Sequence, residues 1–143
     1  MSPADLAAAL VEANAEFYAA FEAGDLDRMA ALWAEGRYAP SVTCVHPGWP
    51  MLRGREEVLR SWALIMANTS YIQFVLTNVE ADIHGDQAVV TCSENILTAD
   101  DDTEAGFLAG GEVVATNVFV RVDGAWRLLL HHGSPILNTA EEE

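Results

Sequence analysis

The spacing of apolar residues changes once along this chain, near Tyr71, and that change limits the folds open to it. Before it, Leu6, Leu10, Phe17 and Phe21 recur at helical spacing, as do Val58, Leu59, Trp62, Ile65 and Met66 further on. After it, Ile72, Phe74 and Leu76 alternate with Gln73, Val75 and Thr77, and strand-forming residues dominate. A chain helical in its first half and extended in its second builds an α+β fold, with helices segregated to one face of a sheet.

Punctuation residues divide the two halves further. Ser2-Pro3 supplies a hydroxyl cap and a first-turn proline for a helix that Gly24 ends. Asp25 caps a second, short helix carrying Leu26, Met29, Ala30 and Trp33, closed by Gly36. An extended segment from about Ser41 to His46 follows, and the loop Pro47 to Gly54 leads into the third helix. Gly85-Asp86 reads as a hairpin between a strand ending near Ile83 and one running from Ala88 to Leu97. Asp123-Gly124 is a stronger hairpin signal, joining Gly111–Val122 to Ala125–His132. The expected fold is three helices packed on four long strands plus a short one, in a single domain over residues 1–143 without repeat or linker. Long antiparallel strands coil, so the sheet should curve around a cone-shaped interior able to hold a small ligand.

Charge narrows the partners. Twenty-two Asp and Glu against seven Lys and Arg give a net charge of −15, which repels phosphate backbones and anionic lipid surfaces. Nucleic acid and membranes are therefore not expected partners, nor is a strongly anionic substrate unless Arg53, Arg55 and Arg60 gather locally. That trio reads as a solvated helix start. No charged-then-apolar leader and no apolar run near the ~18 residues of a membrane span are visible, so the chain reads as cytoplasmic. Cys44 and Cys92 lie in apolar strand patterns and read as buried free thiols. The acidic run Asp100-Asp101-Asp102-Thr103-Glu104 reads as a mobile loop tip and lacks the alternating ligand pattern of a calcium loop.

The candidate chemistry starts at His46. An apolar lead-in, Val42 to Val45, and Pro47 directly behind hold it extended at the mouth of the core. Imidazole titrates near neutrality, so this is a natural place for a general acid or base, the alternative being a ring that merely bonds backbone at a strand end. His131 and His132 point to opposite faces of the last strand. Trp126, Leu128, Leu130 and His132 share one face by period-two counting, which places His132 inward unless a bulge before Gly133 swaps the pair. Glu94 and Asn95 divide the same way, and a buried Glu94 would need a partner such as a histidine to orient. Asn117 could donate to a substrate carbonyl or bond to Glu94. Tyr18, Trp49, Trp62 and Phe119 belong to the aromatic lining, with Tyr18 and Trp49 best placed to touch a ligand. The histidines lack the short helical spacing of a zinc site, so no metal or cofactor is expected.

Four pieces in order then carry a resemblance: Gly24-Asp25-Leu26, His46-Pro47 ahead of Gly54-Arg55-Glu56, Ala115 to Phe119, and Trp126 through His131-His132-Gly133-Ser134-Pro135. Together they resemble the nuclear transport factor 2-like superfamily, in its SnoaL-like branch, over nearly the whole chain. The resemblance implies a cone-shaped fold and, often, a homodimer through the sheet. It also spans isomerases, polyketide cyclases, dehydratases and members without catalysis, and implies neither metal nor cofactor. Ketosteroid isomerases carry their general base, an aspartate before proline, where this chain has His46. Their oxyanion tyrosine falls near Phe17, beside Tyr18, and their neutral acid near Asn117 or Val118. A proton acceptor is kept and both donors are altered, which argues against that steroid reaction. The resulting expectation is a catalyst for a small apolar carbonyl compound. His46 acts as acid or base, Glu94 or His132 orients it, and Asn117 and Tyr18 donate to the oxyanion. The alternative is a non-catalytic ligand-binding or homodimerisation module.

Overall fold

A computed structural model of the protein describes residues 2–99 and 107–137; the acidic run 100–104 and the Phe107 side chain lie outside that description. Helix α1 spans Pro3–Ala23 and opens on a capping box, Ser2 accepting from the Asp5 amide and Asp5 from the Ser2 amide. Gly24 stops it in the left-handed region at φ 63°, a conformation a side chain would strain. Asp25 caps α2 (Leu26–Leu32) by accepting from the Arg28 amide at 3.1 Å.

Two elements were not legible in the chain: a 3₁₀ helix over Gly36–Ser41 and a two-residue strand, Leu52–Arg53. The six strands are β1 (Thr43–Val45), β2 (Leu52–Arg53), β3 (Ile72–His84), β4 (Gln87–Ala99), β5 (Phe107–Val122) and β6 (Ala125–Pro135). Helix α3 (Arg55–Ala67) separates β2 from β3. The sheet order is β2-β1-β6-β5-β4-β3, with β1 parallel to β6 and the other neighbours antiparallel. Register shifts at Thr77/Glu80, Ile96/Leu97 and Val118/Phe119 bend the long strands and sharpen the curvature.

Inside the curve, Leu10, Phe17, Trp33, Val42, Trp62, Phe119 and Leu128 form the sealed core. Arg55 departs from the solvated helix start expected of it. Its guanidinium donates to the carbonyls of Ala30, Trp33 and Ala34 at 2.9, 2.7 and 3.3 Å, closing the open end of α2. No helix among the described residues is long and apolar enough to cross a membrane.

Candidate functional site

Between the helices and the concave sheet lies a cavity of about 290 Å³. Aromatic and aliphatic side chains make most of its wall: Phe17 and Phe21 from α1, Trp62 and Ile65 from α3, Ile72 and Phe74 from β3. Besides the Tyr18 phenol, three titratable side chains break that wall, namely His46, Glu94 and His131.

Strand register brings them together. The parallel pairing of β1 with β6 sets Cys44 beside His131, so His46, two residues on, shares the face of His131. A turn in which the Trp49 amide donates to the His46 carbonyl at 2.9 Å lays Trp49 edge-on to the imidazole, ring centres 4.9 Å apart. Antiparallel pairing puts Asn117 next to both Val90 and His131, and Glu94 opposite Leu76 and Val113.

His131, not His132, is the inward histidine. β6 carries one extra residue, Leu129, because Val118 pairs with Leu130 while Phe119 pairs with Leu128. That bulge exchanges the faces beyond it, leaving His131 4 % exposed and His132 on the solvent side. The role expected of His132 therefore falls away. Phe119 is also corrected: it is sealed in the core beneath the cavity and lines none of it. Tyr18, Trp49 and Trp62 do line it.

The hydrogen bonds differ from the expected ones too. Tyr18 spends its only proton on Glu94 Oε2, at 2.6 Å. Asn117 Nδ2 donates to Asn14 Oδ1 at 2.9 Å and to the Tyr18 oxygen at 3.2 Å, while its Oδ1 lies 2.6 Å from Nδ1 of His131. Neither Tyr18 nor Asn117 has a proton left for a substrate oxyanion. Glu94 orients no imidazole; Ser61 does, its Oγ 2.9 Å from Nε2 of His46 and donating to the Val58 carbonyl at 2.6 Å. Sequence reasoning passed over Asn14 and Ser61. The available signal was a small polar residue inside each helix's apolar stripe, at Leu10 plus four and Val58 plus three.

Burial sets the proton affinities. Desolvation lowers His46 to about 4 and His131 to about 3, the latter helped by neighbouring His46 and His132. Desolvation raises Glu94 to about 7 against the opposing Tyr18 hydrogen bond, and pushes the Tyr18 phenol well above its ordinary value. Burial likewise pushes the Cys44 thiol up to about 12, so it is no nucleophile at neutral pH. At pH 7 both imidazoles are neutral, and Glu94 is poised between acid and carboxylate.

Solved structures share this architecture. A proposed dehydratase of the NTF2-like family from Streptomyces avermitilis is 45 % identical, with a TM-score of 0.86 over 96 % of this chain and 100 % of that one. A proposed calcium/calmodulin-dependent protein kinase type II association domain from Thiobacillus denitrificans is 33 % identical, with a TM-score of 0.74 over 87 % of this chain and 93 % of that one. An NTF2-like superfamily protein from Salmonella enterica, 15 % identical, matches the fold with a TM-score of 0.81 over 96 % of each chain. Among curated proteins, F-box protein SKIP8 of Arabidopsis thaliana is 31 % identical over 129 residues, which are 90 % of this chain and 50 % of that protein. The chain thus spans half the length of that relative. With the family signature matched over residues 10–138, on a cone-shaped fold built as above, this chain belongs to the SnoaL-like domain family.

Proposed function

We propose that the chain is a proton-transfer enzyme, of the dehydratase or isomerase kind, working on a small uncharged molecule of largely apolar skeleton. One observation carries this reading: two neutral imidazoles and a carboxyl titrating near neutrality converge on an otherwise apolar cavity. The 45 % identity to a proposed dehydratase supports it.

Proton affinity divides the labour differently from the sequence expectation. A catalytic acid or base works best with a pKa near the working pH, which favours Glu94 at about 7 over His46 at about 4. Glu94 as carboxylate takes a proton from a substrate carbon, and as acid it returns one to the substrate, ending each turnover as it began. His46 and His131 accept hydrogen bonds that hold the substrate against it. The work is that of a general acid–base group, worth ~10²–10⁴ in rate.

Isotope exchange tests this without an identified product. Small uncharged compounds are incubated with the protein in D₂O, and carbon-bound deuterium is read by mass spectrometry. The reading expects protein-dependent exchange that Glu94→Gln abolishes and His46→Ala weakens. Exchange left intact in Glu94→Gln would remove Glu94 from the mechanism, and a panel with no exchange at all would end the enzymatic reading.

A second reading has one observation in its favour. The outer sheet face presents Val75 and Val114, 59 % and 44 % exposed, and such a face suits a homodimer through the sheet. Sedimentation at micromolar concentration tests it, a strictly monomeric profile counting against the dimer.

A further inference from the structure

We infer that the molecule taken by this cavity carries at least two hydroxyl or N–H groups on its apolar skeleton, one donating to Nδ1 of His46 and another to Nε2 of His131. The inference rests on reading the cavity as a ligand site and deepens it by naming the ligand's chemistry.

The protons around both imidazoles can be assigned one by one. Ser61 has one hydroxyl proton, and the Val58 carbonyl, which can only accept, takes it at 2.6 Å. The Ser61 oxygen 2.9 Å from His46 must therefore accept, so the proton of that imidazole sits on Nε2. Nδ1 keeps its lone pair, and its side-chain contact among the described residues is the Cys44 sulfur at 3.9 Å, the far limit for so weak a donor and farther than that sulfur lies from Nε2, at 3.7 Å.

The second imidazole is fixed from the opposite side. Tyr18 gives its proton to Glu94, so its oxygen must accept from Asn117, and the amide nitrogen of Asn117 has to face it. The amide oxygen then faces His131 at 2.6 Å, and Nδ1 of that ring carries the proton. Nε2 is left as the lone pair of a side chain that lines the cavity. Ser61 and Asn117 are positioning residues: each fixes a tautomer, and the two tautomers are opposite.

Permanent donors are scarce on the same wall, where Glu94 donates only in its protonated form. The Tyr18 proton is spent, and the Trp62 indole nitrogen is sealed from solvent without a partner among the described residues. The Trp49 indole stands at the half-exposed mouth. A ligand offering only acceptors, such as a simple ketone, strips water from both nitrogens and leaves them unpaired. A ligand with hydroxyls replaces that water, which is the selection a polar group in an apolar pocket imposes. The volume of about 290 Å³ equals about ten waters at ~30 Å³ each, enough for one substituted ring or two small ones. Within the proton-transfer reading, a hydroxylated substrate points to elimination of water: the C–H and C–O bonds break, a C=C bond forms, and the proton leaves with the hydroxyl as water.

Histidine-labelled protein tests this directly. Long-range ¹H–¹⁵N spectra at pH 7 should show His46 protonated at Nε2 and His131 at Nδ1, with Ser61→Ala giving His46 a mixture of tautomers. Resorcinol, its dimethyl ether and acetophenone are then titrated in. Resorcinol should bind at least about tenfold more tightly than either of the others and shift the Nδ1 resonance of His46 and the Nε2 resonance of His131. Protons on the opposite nitrogens overturn the inference. Equal binding of resorcinol and its ether overturns it while leaving the cavity a ligand site. Failure of all three to perturb either histidine at their solubility limits overturns the inference and the ligand-site reading together.

Discussion

Glu94→Gln should make the protein more stable and less active, with the gain in stability confined to one side of a defined pH window. The folded-state pKa of Glu94 is raised from 4.5 to about 7 by desolvation, so the fold favours the neutral acid. Its contribution is fully present below pH 4.5, where folded and unfolded chains both hold the proton. It is lost as pH rises through about 7, because the unfolded chain has already released the proton and the folded one must now bury a carboxylate. The span of roughly 2.5 pH units at ~1.4 kcal/mol each sets a ceiling of about 3.4 kcal/mol, and partial relaxation brings the expectation to about 2–3 kcal/mol. The substituted amide copies the neutral acid, keeps an oxygen for the Tyr18 hydroxyl at the 2.6 Å site, and does not titrate. Urea unfolding followed by tryptophan fluorescence should therefore find the variant near wild-type stability at pH 4.5. By pH 8 it should be about 2–3 kcal/mol more stable, with unchanged m. A stability difference that stays flat from pH 4.5 to 8 would show that the carboxyl is not desolvated, and the acid–base assignment would fall with it.

Asn117→Leu leaves the Nδ1 proton of His131, the Tyr18 oxygen and Asn14 Oδ1 without their partner, at ~1–3 kcal/mol each before relaxation. A net loss of about 3–5 kcal/mol in urea unfolding is expected, and under 1 kcal/mol would mean the network is not closed. Gly133→Ala puts a methyl 3.2 Å from Pro47 Cγ and from Val113 Cγ1, so it should cost about 1–3 kcal/mol and displace His46, seen as a shift of its ring resonances; an unperturbed His46 would separate that loop from β6. The lowered pKa values of His46 and His131 give stability that is present above pH 6.5 and lost as pH falls toward about 4 and 3. His131→Phe should therefore flatten the acid limb of the stability curve, and an unchanged limb would refute neutral burial.

What the chain revealed by itself was local. The change of apolar period near Tyr71 fixed the order of helices and strands, since each period is written in neighbouring residues. Asp123-Gly124 announced its hairpin because both residues adopt positive φ, at 51° and 82°, where most side chains are strained. The choice between His131 and His132 was not local. It turned on one bulge within Leu128-Leu129-Leu130, three identical residues that offer no alternation from which to read a register. The approach of His46 to His131 depends on a parallel pairing between strands more than 80 positions apart, and the lock by Ser61 on a helix packing over it. Giving His46 the base role assumed its solution pKa, and the burial that lowers it to about 4 is not written in neighbouring residues.

The same burial acts on the three groups in opposite senses, which is what makes the site coherent. Desolvation penalises whichever form is charged, so it lowers the imidazoles and raises the carboxyl, and near pH 7 only Glu94 can change its charge. Tyr18 donates to Oε2, so the proton of the neutral acid belongs on the other oxygen. That oxygen is a donor when Glu94 is protonated and an acceptor when it is not, while the locked imidazoles accept throughout. In the proposed reaction, a substrate held by two fixed acceptors exchanges a proton with one group that reverses its sense, without moving between the two halves of the reaction.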